Sequence, residues 1–542
     1  MSDPVSQLQG TIAEVASELR GDGAAQTATL QRPPRPDFGD YSTNAAMMLA
    51  PALGQAPREV AERLGQALGQ RLGAAVDRLE VAGPGFLNLF MADPWYLDAL
   101  AGMLAAGERF GAGEPEVAEC INVEFVSANP TGPLTAASAR HAAYGDALCR
   151  ILELAGHRVE REYYLNDYGS QVRRFGDSIR ARARGEEPPS DGYHGAYVTE
   201  LAERIEGAAD ADPDELAGRG VELMVEEAKA TLERFRVRLD RFTSERALHE
   251  SGAIERALGD LEEREQVYPF EGAVWLRTTT FGDDKDRVLM RSSGEFTYFA
   301  SDIAYHEDKL KRGYDRAIDV WGADHHGYVG RMRAAWQALG GEPDRLELLI
   351  MQLVNLLEGG ERARMSRRRG DFVTLDELVD DIGVDAARFF VLQRSHDTPL
   401  DLDLDLARRQ SQDNPVYYVQ YAHARIASIL RRAGAERVER ALAADVAKSW
   451  ETPHPSARAL VKRLLEFPAE VQAAAARRAP HRLTGYVHET AQDFSAFYRD
   501  VRVLGARQEG GDEDVRLALC VQARRVIARG LDLLGVSAPE EM

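Results

Sequence analysis

The run Val123-Glu-Phe-Val-Ser-Ala-Asn-Pro-Thr-Gly-Pro-Leu134, with a helical stretch after it, constrains the fold more than any other part of the chain. An apolar strand over Val123–Ser127 enters a turn of Asn, Pro, Thr and Gly that leads to a helix N-terminus. A helix over Ala139–Ala155 and a second strand over Val159–Leu165 complete a βαβ unit, whose strands must be parallel and whose crossover is right-handed. Such units bind ligands beyond the carboxyl ends of their strands and hold phosphate at the helix N-terminus. Glu124 interrupts the apolar strand. Unless it lies at a surface edge, its carboxylate needs a cationic partner or a ligand.

The pattern predicts three regions. Residues 1–112 read as a small α+β module, with amphipathic helices over Val5–Arg20 and Arg58–Leu72 and, in Val81-Ala-Gly-Pro-Gly-Phe-Leu-Asn-Leu-Phe90, an alternation like a strand after a glycine turn. Residues 116–400 read as a Rossmann-type α/β domain. It is split by a charged, mostly helical insertion over about 173–267, and strands return at Val274–Arg277, Arg287–Arg291 and Ile318–Trp321. Ala334–Leu339 and Leu346–Leu357 follow either as helices or as a helix–strand pair. Residues 405–542 read as an all-α bundle. The fold class is thus multidomain α/β with a helical C-terminal domain.

Composition removes several function classes. Three cysteines, with no CxxC pair, predict neither a zinc site nor a disulfide framework, and no metal cluster is expected. The N-terminus lacks the pattern of a signal peptide, and no run of about 18 apolar residues suggests a membrane span. The expectation is a cytoplasmic protein with no membrane or DNA partner. The net charge of −22 argues against a nucleic-acid partner, but the charge is unevenly spread. From Asp405 onward there are 21 Lys/Arg against 18 Asp/Glu, so a polyanion could still dock locally. A Gly-x-Gly-x-x-Gly fingerprint after the first strand is absent, which makes a nicotinamide enzyme remote.

Further segments carry candidate chemistry. Tyr298 and Asp302, at i and i+4, share one face of a helix and could clamp a guanidinium, although such a pair is commonplace by itself. Asn166-Asp-Tyr-Gly-Ser-Gln171 and Trp321-Gly-Ala-Asp-His-His-Gly-Tyr328 each follow a strand, at the expected ligand rim. Arg364-Met-Ser-Arg-Arg-Arg-Gly370 is a cationic loop of a kind that can close over a triphosphate. Asp413-Asn-Pro-Val-Tyr-Tyr-Val-Gln-Tyr-Ala-His-Ala-Arg425 clusters tyrosines with a histidine and an arginine, as helix packing or as a platform for RNA bases.

Together these segments resemble the arginyl-tRNA synthetases, a class I family, from about Asp37 to Met542. The resemblance implies ATP-dependent ligation of L-arginine to tRNA(Arg) through an arginyl-adenylate. It implies that Glu124, Asn129, Asp167, Gln171, Tyr298 and Asp302 bind arginine. Pro130, Thr131, Gly132, Thr135, Ala137, Gly322, Asp324, His325, Met365 and Ser366 would bind ATP. Arg364, Arg367, Thr135 and Ser138 would take the catalytic positions. Phe86, Asn88, Tyr417, Tyr421, Arg425 and Met542 would contact tRNA, although a phenylalanine in a strand is ordinarily core. Mg²⁺ would accompany ATP without a dedicated protein cage. The family also implies a monomer, with activation of arginine that requires tRNA.

One departure stands out. Where the family has His-x-Gly-His, this chain has Thr135-Ala-Ala-Ser138, and Arg replaces Lys at both basic positions of the second signature. Losing a hydrogen bond to a charged group costs roughly 1.5–3 kcal/mol, which slows a step about ten- to a hundredfold. Backbone N–H groups at the helix start, and the nearby His141, are candidate compensations. The alternative reading is a paralogue that binds tRNA or arginine without activating it.

Overall fold

A computed structural model describes residues 4–21, 29–33, 35–362, 373–444, 453–505 and 512–542. At its centre lie β1 (Cys120–Glu124), β2 (Arg158–Leu165), β3 (Arg241–Ser244), β4 (Arg316–Gly322) and β5 (Leu346–Met351), in the order β5-β4-β1-β2-β3. Every neighbouring pair is parallel. The chain runs outward from β1 to β3, then returns to β4 on the other side of β1. That reversal opens a crevice beyond the carboxyl ends of β1 and β4, the expected ligand position in an open α/β sheet.

Helix α1 (Ser138–Leu154) crosses from β1 to β2, and α2 (Tyr298–Lys311) precedes β4. Gly145 lets α1 lie close to the sheet, because a Cβ there would sit 2.1 Å from the Phe125 ring. β1 stops at Glu124, short of the expected Ser127. Val126 and Ser127 adopt left-handed backbone, with φ of 69° and 39°, which turns the chain out of the sheet. A β-branched residue in that region is strained, and strain of this kind gathers at ligand sites.

Two other expectations change. The stretch 173–267 does hold helices Ala196–Arg204 and Pro213–Arg234, which pack with Ser170–Ala183 around their own apolar core. It also contains β3, which pairs with β2 as the edge strand of the main sheet. A four-residue strand reading Arg-Phe-Thr-Ser carries too little pattern to show in sequence. Of the two readings of Ala334–Leu339 and Leu346–Leu357 the all-helical one falls: a helix over Val329–Ala338 is followed by β5 and a strand over Val354–Glu358, since a short apolar run suits either element.

At the N-terminal end, helices Pro4–Arg20, Ala45–Leu53 and Pro57–Leu72 accompany a four-stranded antiparallel sheet that includes Phe86–Met91. After the catalytic sheet comes α3 (Leu375–Val391), then a helical region containing α4 (Pro415–Ala433), α5 (His481–Asp500) and α6 (Glu513–Leu533). Asn414 caps α4, with Pro415 at its first position. The final segment is strapped across α4: the Pro539 carbonyl lies 2.8 Å from His423 Nδ1, and Arg431 pairs with Glu541. No described helix is long and apolar enough to cross a membrane.

Candidate active site

A cavity of about 550 Å³ occupies the crevice between β1 and β4. One end is acidic. Glu124 closes β1, Asp302 projects from the first turns of α2, and Glu245 begins the helix that follows β3. Burial and the neighbouring Glu124 charge push Asp302 up to about 6, against a hydrogen bond from the Tyr328 hydroxyl. Burial, then the Asp302 and Asp167 charges, push Glu245 up to about 7. Tyr298 stands at the mouth of the cavity, 60% exposed.

Glu124 is held from two sides. Ser127, on the strained turn, donates its hydroxyl to Oε1 at 2.9 Å and accepts the Tyr164 N–H at 3.1 Å. The buried Lys309 donates to Oε2 at 2.9 Å. Burial still raises the Glu124 carboxyl above its ordinary range, so the Lys309 charge does not fully offset desolvation.

The other end lies against the start of α1. Ala137, Ser138 and His141 line it, opposite Gly322, Asp324 and His325. The Thr135 and Ser138 hydroxyls face each other at 3.5 Å. The helix start offers fewer free amides than expected. Ala136 N–H donates to the Val373 carbonyl, Ser138 N–H to Thr135 and Ala139 N–H to Ala136. His141 does not restore a charge either, because burial lowers its imidazole to about 4. Its Nδ1 is buried, with no hydrogen-bond partner among the described residues.

Other expected site residues fall elsewhere. Thr131 is buried, its carbonyl accepting the Tyr197 hydroxyl of the insertion, and that hydroxyl also covers Gly132. Pro130 is buried too. These three residues shape the turn and do not line the cavity. Asp167 caps the helix after β3, accepting from Ser244 Oγ at 2.6 Å and from the Arg246 N–H at 2.9 Å. Its carboxylate therefore orders the wall that carries Glu245. Asn129 lines the cavity and donates to Gln171 at 3.3 Å, at the rim. Arg364, Met365, Ser366 and Arg367 lie outside the described residues. The segment that follows them is laced to the first signature: Thr374 bridges Thr135, and Leu375 N–H donates to the Leu134 carbonyl.

Away from the cavity, Tyr417 and Tyr421 stack with ring centroids 6.2 Å apart. The Arg425 guanidinium lies over both Tyr421 and Tyr498. Tyr498, on α5, is 43% exposed and was not found in sequence, since it lies far along the chain from the tyrosine cluster. Met542 is exposed as well. Phe86 is exposed at the start of its strand, whereas Asn88 is buried and accepts the Ser42 hydroxyl at 2.8 Å. Asn88 thus joins two strands and presents nothing to an external RNA.

Comparison with known proteins decides the family. The description "Arginyl tRNA synthetase N terminal domain" matches residues 6–91, "tRNA synthetases class I (R), catalytic domain" matches 207–407, and "DALR anticodon binding domain" matches 419–542. An arginine–tRNA ligase of Frankia alni is 48% identical over 530 residues, 95% of each chain. The chain belongs to the arginyl-tRNA synthetase family. Among solved structures, the Thermus thermophilus arginyl-tRNA synthetase matches with a TM-score of 0.75 and 25% identity, over 99% of this chain and all of that one. The Plasmodium falciparum enzyme, at 16% identity and a TM-score of 0.76 over 99% of both chains, shares the fold. This synthetase thus has the family's architecture along its length, with an altered first signature.

Proposed function

We infer that the cavity between β1 and β4 is where this chain activates arginine for ligation to tRNA. The chain ligates arginine to tRNA, a function supported by its class I catalytic domain and its 48% identity to a curated arginine–tRNA ligase. The observation that carries the site is the set of under-compensated carboxylates. Among the described residues, Asp302 and Glu245 have no Lys or Arg ion pair, and Glu124 shares its lysine with another acid. A free amino acid bearing an ammonium and a guanidinium supplies the two missing positive charges. The planar guanidinium donors suit carboxylates from separate elements, with the Tyr298 hydroxyl of α2 beside them at the cavity mouth.

ATP would enter from the α1 end, over Ala137, Ser138 and Gly322, with Asp324 and His325 on the facing wall and Mg²⁺ on its phosphates. The arginine carboxylate then attacks the α-phosphorus and pyrophosphate leaves, giving arginyl-adenylate. A hydroxyl of the terminal tRNA ribose next attacks the activated carbonyl, and AMP leaves. No covalent enzyme intermediate is needed, so the protein contributes positioning and electrostatic stabilisation. Arg364 and Arg367 would supply cations to the departing pyrophosphate. The stacked Tyr417 and Tyr421, with Arg425 and Tyr498, form a surface suited to unstacked anticodon bases, and Met542 is exposed at the end of the strap along the same helix.

Arginine-dependent ATP–pyrophosphate exchange, measured with and without tRNA, tests the reading. Exchange with tRNA present is the expected result, and none without it. Absence of both exchange and aminoacylation would leave a protein that binds tRNA or arginine only.

A further inference from the structure

Beneath the arginine end lies a row of acids that the cavity only partly exposes. Glu124 is the register partner of Asp319 on β4 and of Glu162 on β2, so three carboxylates stand side by side across three parallel strands. Like charges placed this way repel. Helix α2 and the residue after it lie over the row with His306, Lys309 and Arg312, at three-residue intervals.

The cations are shared unequally. Arg312 forks onto Glu162, which also accepts from Asn122 and Thr243. Asp319 takes Lys309 Nζ at 2.6 Å and His306 Nε2 at 2.9 Å. The second ring nitrogen of His306 faces the Asp302 carbonyl at 2.7 Å, which suits a ring donating from both nitrogens. Glu124 receives only the other contact of Lys309, at 2.9 Å, and the Ser127 hydroxyl. Lys309 is wholly buried, and its Nζ also lies 4.4 Å from the centre of the Tyr305 ring. It cannot reach a ligand in the cavity, and Glu124 is the one acid of the row that lines it.

We infer that Lys309 is a positioning residue for arginine activation: it holds Glu124 charged and aimed into the cavity, and so sets how tightly the cationic substrate binds. The inference rests on Glu124 being a ligand of arginine. The charges facing Glu124 from the surrounding elements are Lys309 and His306 of α2, Asp319 of β4, Glu162 of β2 and Asp302, with the phenols of Tyr164 and Tyr305 beside them. Among these, Lys309 is the cation in contact, and burial and the neighbouring acids oppose it. Without it, Glu124 would take up a proton in the empty site and lose its attraction for the substrate at neutral pH.

The test measures arginine affinity by calorimetry between pH 6 and 8.5. Lys309→Met alone leaves Asp319 with His306 as its remaining partner in the core and risks misfolding, so it is combined with Asp319→Asn. At pH 7 the double variant should bind arginine roughly ten- to a hundredfold more weakly than the unaltered protein. Its affinity should recover towards pH 8.5, with the pH profile displaced upward by about a unit or more. Glu124→Gln should bind weakly and show no such recovery. An unchanged affinity and pH profile in the double variant, with Glu124→Gln weakened, would overturn the role of Lys309 and leave the site standing. Undiminished binding by Glu124→Gln would overturn the site reading itself and the inference with it.

Discussion

The two ends of the cavity are built by different means. The end proposed for arginine draws Glu124 from β1, Glu245 from the segment after β3, and Asp302 from α2, with Glu124 and Asp302 held by contacts made before any ligand arrives. The end proposed for ATP sets the stretch Thr135–His141 against Gly322, Asp324 and His325, and on that stretch the hydroxyls are neutral and the leading amides are spent on nearby carbonyls. Charge recognition is therefore preorganised in the fold. Thr374, which caps α3, is tied to Thr135 by a backbone bridge, so this end is linked to α3 as well.

The sharpest way to break this contrast is to remove one acid. Asp302→Asn should cost about 2–5 kcal/mol, a loss of roughly thirty- to several-thousandfold in kcat/KM for arginine, because a desolvated charge contact is lost. The KM for ATP should change far less. Steady-state exchange at varied arginine and varied ATP separates the two. Equal losses on both substrates would mean that the two ends are one coupled unit.

A second effect follows from protonation. In the empty site Glu245 and Asp302 titrate near about 7 and about 6, above their ordinary values, and a bound guanidinium favours their ionised forms. Binding therefore releases protons, and affinity is full above the higher value and falls as pH drops through both. Between pH 8 and pH 6, Glu245 alone should weaken arginine binding about tenfold. Calorimetry in buffers of different ionisation heat counts the protons. If none are released, the acidic end is already compensated by groups not recognised above.

How much of this was legible in the chain depends on whether the signal is local. The strand–turn–helix, the Tyr298/Asp302 pair and the tyrosine cluster stand in continuous runs, so sequence located them. Lys309, His306 and Asp319 read as ordinary charged residues, since only the register of β1 against β4 places Asp319 beside Glu124. Glu245 was hidden for a related reason: it follows β3, a strand too short and too polar to announce itself. Asp167 shows a task hidden beneath a legible motif. It sits in a rim motif, but its carboxylate has a capping task that sequence spacing cannot reveal.

The smallest effects belong to the altered signature. Thr135→Val and Ser138→Ala each remove a neutral hydroxyl, worth about 0.5–1.5 kcal/mol net, so the ATP KM should rise no more than about tenfold and arginine affinity should hold. His141→Ala should behave alike, because an imidazole lowered to about 4 carries no charge to a phosphate near pH 7. ATP titrations in the exchange assay check all three. If any of them matched the loss from Asp302→Asn, the helix start would have to form a phosphate grip as preorganised as the acidic end. The amide donors now satisfied by Thr135, Ala136 and Val373 would then need to be released when ATP binds, and the backbone bridge between Thr135 and Thr374 would be the first contact to open.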